Sequence, residues 1–245
     1  MGGHTDLDTV KAFAIDIDGT LTENGGGIIH LEALASLRYI ESMGCRVIFV
    51  TGRSSAEAYI LSVFGGTTRV AVGENGGTVM TGPQQHISFA NIENCMKGYE
   101  VLKKKFDSVK LKPVFNRLTE VVLCRTFDMQ QGQKVLEDNK LDLYISDSQY
   151  AFHINEKGID KSVGLKKALR ILDIDPAYAV AIGDSETDIP MFNMCGYSIA
   201  LNHARDNVKA KAKHVVKGRQ GEGAVEAVEF VASTFLSGIV NRIDT

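Results

Sequence analysis

Apolar residues in this chain follow two rhythms, short unbroken runs and stretches recurring every three or four positions, and the two alternate along much of its length. That alternation predicts buried strands interleaved with covering helices. The run from Lys11 to Ile15 has no polar alternation and predicts a strand buried on both faces. Arg46 to Val50 and Val70 to Val72 predict two more. Leu31, Leu34, Leu37, Ile40 and Met43 share one helical face, and Gly44 ends that helix. Ser54 followed by Glu57 is a capping box opening the next one.

From about Met80 to Asn155 the rhythm changes. Ile92, Cys95, Met96, Tyr99, Leu102 and Phe106 mark an amphipathic helix, Glu120 to Cys124 a strand and Met129 to Lys140 a second helix. Leu141 to Ser146 and Tyr150 to Ile154 form a hairpin across Asp147-Ser148-Gln149. This is the texture of a small α+β unit with an antiparallel sheet. The first rhythm then resumes with a helix from Lys161 to Asp173, strands at Tyr178 to Ile182 and Ser198 to Leu201, and a closing helix from Glu222 to Phe235. The expected fold is α/β, a doubly wound, mostly parallel core built from residues 1–82 and 155–245, with residues 83–154 inserted as a cap. Such a sheet binds ligands at the carboxyl ends of its strands.

The candidate chemistry stands at those ends. Asp16 and Asp18 close the first strand and are followed at once by Gly19-Thr20. Packing gives no reason for two acids there, because unpaired buried charge is costly. A bound divalent cation resolves the conflict. Thr51-Gly52-Arg53 ends the second strand, Lys161 opens a helix, and Asp184 and Asp188 flank the turn after a later strand. Each has a plainer reading. Asp184 could be a helix N-cap, Lys161 a solvated helix residue with Lys157 as its rival, and Arg53 the partner of an acid or of a substrate. Glu74-Asn75-Gly76-Gly77 is explained as a turn by its glycines. His30, His86, His153, His203 and His214 have no metal-ligand spacing and are assigned structural roles.

Bulk properties narrow the classes. The chain has 245 residues, a formal net charge of -3 and a pI near 6.1, so neither a nucleic acid nor a membrane surface is an expected partner. Cys45, Cys95, Cys124 and Cys195 are scattered like reduced thiols, and the start carries no signal-peptide pattern. A cytoplasmic location is expected; oligomeric state is not legible.

In content and order, Asp16-Ile17-Asp18-Gly19-Thr20, the strand-terminal Thr51, Lys161 and Gly183-Asp184-Ser185-Glu186-Thr187-Asp188 resemble the haloacid dehalogenase superfamily of phosphohydrolases. The resemblance implies a Rossmann-like core and phosphoryl transfer through an aspartyl-phosphate on Asp16, with Asp18 as acid and base. It also implies Mg²⁺ at Asp16, the Asp18 backbone carbonyl, Asp184 and Asp188, and phosphate contacts from Thr51, Gly52, Arg53 and Lys161. An insertion between Thr51 and Lys161 is similar to the branch with an α/β cap. Phe152-His153-Ile154-Asn155-Glu156-Lys157-Gly158 and Glu74-Asn75-Gly76-Gly77 resemble the archaeal phosphoglycolate phosphatase group, from which Arg53 and Thr187 depart. A small phosphorylated metabolite is therefore the expected partner. 2-Phosphoglycolate stands first, a sugar phosphate or mannosyl-3-phosphoglycerate second, and Lys112, Arg117 and Arg125 are cap candidates for reading its far end. The rival from another class is a non-catalytic phosphate-binding protein on the same fold.

Overall fold

The computed structural model describes residues 10–23, 27–148 and 150–236; the amino-terminal residues read for targeting signals and Gln149 of the expected hairpin turn lie outside them. Strand β1 (Ala12–Ile15) leads through a short hairpin, β2 (Thr22–Glu23) and β3 (Ile28–Ile29), into helix α1 (Leu31–Ser42). Then come β4 (Arg46–Phe49), α2 (Ser55–Gly65), β5 (Ala71–Gly73), β6 (Thr78–Gly82) and β7 (Gln85–Ser88). The insertion supplies α3 (Ile92–Lys105), β8 (Val121–Leu123), α4 (Met129–Asp138), β9 (Leu143–Asp147) and β10 (Phe152–Glu156). The chain finishes with α5 (Lys161–Ile171), β11 (Ala179–Gly183), α6 (Ile189–Met194), β12 (Tyr197–Ala200), α7 (Asp206–Lys209), β13 (His214–Val215) and α8 (Gln220–Phe235).

The central sheet is parallel, in the order β13-β12-β11-β1-β4, and a bridge from Val50 to Val72 attaches β5 beyond β4. Its strands alternate between two cores. Phe13, Ile15, Val47, Phe49, Val180 and Ile182 face one layer, with Leu37 and Ile40 of α1 and Ala227 and Val231 of α8. Ala12, Ala14, Ile48, Ala179 and Ala181 face the other, with Leu165 and Leu169 of α5 and Phe192 of α6. Both faces of each strand are covered, so the sequence shows apolar runs rather than alternation. Each large side chain buried this way contributes about 1.5–3 kcal/mol.

The inserted sheet works differently. Its order is β8-β10-β9, antiparallel, with α3 and α4 covering one face around Leu102, Leu123, Leu136 and Ile154. Period two then turns Val122, Tyr144, Ser146, His153 and Asn155 to the opposite face. The doubly wound core with an inserted α/β cap is thus the fold.

Local signals behave as physics requires. Ser54 and Glu57 make the reciprocal capping box, and Gly44 leaves α1 in the left-handed region at φ 94°. The short strands β2, β3, β6, β7 and β13 gave no periodicity to read. Two of the expected boundaries fall inside strands or hairpins. Gln85–Ser88 pairs back onto β6 across residue 83, and β10 continues through residue 155 to Glu156.

Candidate active site

Parallel pairing sets the site. Ile15 lies between Phe49 and Ile182 in register, the Asp16 N–H donates to the Ile182 carbonyl at 3.0 Å, and the Val50 N–H donates to the Ile15 carbonyl at 2.9 Å. Residues leaving β1, β4 and β11 therefore emerge together. Asp16, Asp184 and Asp188 bring carboxylate oxygens within 4.8 Å of one another, all three buried. The Lys161 ammonium is 2.8 Å from Asp16 and 2.6 Å from Asp188, with its side chain 2 % exposed. Lys157, its rival in the sequence, faces Asp142 at 3.9 Å near the surface.

Three carboxylates around one ammonium leave surplus negative charge in a dry place. Burial pushes the Asp16 carboxyl well above the usual range; Lys161 opposes this and the charges of Asp188 and Asp184 add to it. Burial alone would lower Lys161, but Asp16 and Asp188 outweigh it and hold the ammonium above its ordinary range. A hard divalent cation with oxygen ligands fits this donor set. Both oxygens of Asp188 are already used, Oδ1 by Lys161 and Oδ2 by the Asp184 N–H, the Ser185 N–H and the Ser185 hydroxyl. Asp184 does not cap a helix; Ser185 does. Gly19 is required beside it, because its φ is +83° and an added Cβ would lie 2.6 Å from Asp184 Oδ2.

Asp18 stands apart from that cluster. Arg53 clasps its carboxylate in bidentate fashion, Nε and one terminal nitrogen each at 2.7 Å, and reaches Glu57 at 3.2 Å with the other. Of the two sequence readings of Arg53, pairing with an acid is the one present. Thr51 is buried, and its hydroxyl accepts the Arg53 N–H at 3.1 Å.

Two neighbours were missed in the sequence. The Thr20 hydroxyl donates to Asp184 Oδ1 at 3.0 Å, and His203 Nε2 lies 3.2 Å from Asp184 Oδ2. His203 follows β12, beside β11, so extending the strand-end rule to one more strand would have flagged it. By contrast His30 caps α1 and His214 stacks on Phe230, as structural histidines do. The three cap candidates all have partners. Arg117 meets Glu57 at 3.5 Å and Glu120 at 3.3 Å, Arg125 meets Asp147 at 2.8 Å, and Lys112 lies over the Tyr150 ring.

Among the described residues, no helix is long and apolar enough to cross a membrane. The family model for haloacid dehalogenase-like hydrolases matches residues 13–111 and 91–228. A phosphoglycolate phosphatase of Nitrosopumilus maritimus is 50% identical over 222 residues, 91% of this chain and 96% of that protein. One from Methanosarcina acetivorans is 36% identical over 91% of this chain and 97% of that protein. Among solved structures, Thermoplasma acidophilum 0175 superposes with a TM-score of 0.81 at 25% identity, covering 91% of this chain and 98% of that one. With its acids gathered where two neighbouring strands end and a cap inserted after the second of its motifs, this chain belongs to the haloacid dehalogenase-like hydrolases, among their capped phosphatases.

Proposed function

We propose that the protein is a Mg²⁺-dependent phosphomonoesterase whose substrate is 2-phosphoglycolate. The observation carrying the chemistry is the buried Asp16–Lys161–Asp188 arrangement with Asp184 alongside. The substrate rests on the 50% identity with the N. maritimus phosphoglycolate phosphatase across nearly the whole of both chains.

In this reading the Asp16 carboxylate attacks phosphorus and forms an aspartyl-phosphate, which water then hydrolyses. Attack of an anion on an anion requires fixed positive charge, which Lys161 supplies from 2.8 Å. Asp16, the Asp18 backbone carbonyl and Asp184 would hold Mg²⁺, with Asp188 buttressing the set, and the bound ion would supply Lewis-acid charge neutralisation. Asp18 gives a proton to the leaving oxygen and later takes one from water; both its oxygens accept from Arg53 at 2.7 Å, so this clasp has to open for Asp18 to carry the proton. The Thr51 hydroxyl and the Gly52 N–H hold phosphate oxygens, while the Arg53 N–H donates back to Thr51 and shapes the turn. The cap closes over the ester and supplies the contacts that choose it.

Kinetics against a panel of phosphate esters tests this. The expected outcome is the highest kcat/KM on 2-phosphoglycolate, with lower values on hexose phosphates and mannosyl-3-phosphoglycerate. A sugar phosphate at the head of the ranking would move the substrate and leave the chemistry standing; no hydrolysis of any ester with Mg²⁺ present would end the enzymatic reading.

A further inference from the structure

Glu74-Asn75 is more than a turn. Glycine is the residue that takes the left-handed region without cost, yet here Glu74 and Asn75 both occupy it, at φ 54° and 52°. Strained non-glycine backbone of this kind persists where the surroundings hold it in place and gathers at functional sites. The surroundings of these two residues lie on opposite sides.

Their backbone grips the core. The Glu74 N–H donates to the Arg53 carbonyl at 2.7 Å and the Asn75 N–H to the Thr51 carbonyl at 3.0 Å. These two bonds hold both ends of the Thr51–Arg53 turn. Asn75 Oδ1 also lies 3.2 Å from where a Cβ on Gly52 would stand, so the two turns are in close packing. Their side chains grip the cap. Glu74 Oε2 accepts the Leu118 N–H at 2.9 Å, the Thr119 N–H at 2.7 Å and the Thr119 hydroxyl at 2.9 Å. Asn75 Nδ2 donates to Glu120 Oε2 at 3.1 Å. Glu74, Asn75, Thr119 and Glu120 are all buried. A parallel tie runs outside them, from Arg117 through Glu57 to Arg53 and on to Asp18.

We propose that Glu74 and Asn75, with Arg117 beside them, form a joint through which the seated cap segment 117–120 sets the Thr51–Arg53 turn, making Glu74, Thr119 and Arg117 positioning residues for phosphate binding. The proposal rests on the phosphomonoesterase reading, and it deepens it: the cap does not only choose the far end of the ester, it also shapes the pocket for the phosphate. A displacement of segment 117–120 cannot leave both sets of bonds intact, because the same two residues hold the cap and the turn.

The test uses the full chain with Mg²⁺ and inorganic phosphate as the probe, its affinity measured by isothermal titration calorimetry. Phosphate has no far end for a cap to read. Thr119→Val and Arg117→Ala should each weaken phosphate binding about 3- to 10-fold, the range expected of residues that carry coupling without touching the ligand. Thr119→Ser, which keeps the hydroxyl, should restore the wild-type value. Glu74→Gln combined with Thr119→Val should weaken binding no more than the stronger single change, because both act on one joint. Wild-type phosphate affinity in Thr119→Val and Arg117→Ala, with any change confined to the KM of organic esters, would overturn the joint. Phosphate binding needs no turnover. A wild type that binds phosphate and hydrolyses no ester would sink the enzymatic reading, while the variants would still decide the joint.

Discussion

The core and the cap of this protein handle polar groups in opposite ways. In the core, strands β1, β4 and β11 bury both faces, and charge is confined to the strand ends, where backbone bonds from Asp16 to Ile182 and from Val50 to Ile15 fix its position. In the cap, only one face of β8-β10-β9 is packed by helices, and the other carries Tyr144, Ser146, His153 and Asn155. The core pairs its buried charges tightly, Lys161 at 2.6 and 2.8 Å from two acids. The cap buries such a group at Glu120, with Arg117 and His153, where it meets the core, and on its sheet pairs Arg125 with Asp147 where both side chains remain partly solvated. Rigid strand ends suit chemistry that tolerates little misplacement. A half-polar sheet on an insertion suits recognition, because its side chains can be changed without disturbing the nucleophile.

The sharpest way to break this contrast is Asp16→Asn. Losing the nucleophile should cost about four or more orders of magnitude in kcat, measured on both alkyl and aryl phosphates. Asp18→Asn should cost about 10²- to 10⁴-fold on an alkyl phosphate and less on an aryl one, whose leaving group needs little help from an acid. Equal losses on the two esters would remove Asp18 from the first proton transfer.

Stability offers the next test. Lys161→Met leaves Asp16 and Asp188 buried without their shared cation and should destabilise the fold by about 3–5 kcal/mol in denaturant unfolding. Arg125→Ala in the cap should cost about 1 kcal/mol or less, since solvent already screens that pair. Comparable losses at both sites would erase the distinction between core and cap.

Metal gives a smaller, one-sided effect. Chelation should abolish turnover, and Mg²⁺ at about 100 times its Kd should add about 2.7 kcal/mol to the stability of the wild type. Asp184→Asn should lose that gain, and Arg125→Ala should keep it. The mildest perturbation is alkylation at pH 8. Burial pushes the Cys45 thiol up to about 11, with a smaller push from Glu41. Burial also raises Cys95 to about 12, aided by Glu156 and Glu120, and takes Cys195 to about 12. Cys124 in the cap is only half-buried. Mass spectrometry should find iodoacetamide on Cys124 and on none of the other three in the folded protein.

Much of this was legible one residue at a time. A strand buried on both faces has to be written as an unbroken apolar run, so Phe13, Val47 and Val180 announced the parallel sheet, and the strand ends then pointed to Asp16, Thr51 and Asp184. The capping box at Ser54 and Glu57 is a local bond pattern, and the sequence by itself determined it. What depends on which elements meet was decided only in three dimensions. That Lys161 rather than Lys157 reaches Asp16, that Arg53 clasps Asp18, and that His203 and Thr20 both lie against Asp184 are long-range pairings with no periodicity to betray them. The same holds for Glu74 and Asn75. Spacing alone offered a glycine-rich turn, and only tertiary contacts turned it into the place where cap and core take hold of each other, because a hydrogen-bond partner 45 residues away leaves no mark on its neighbours in the chain.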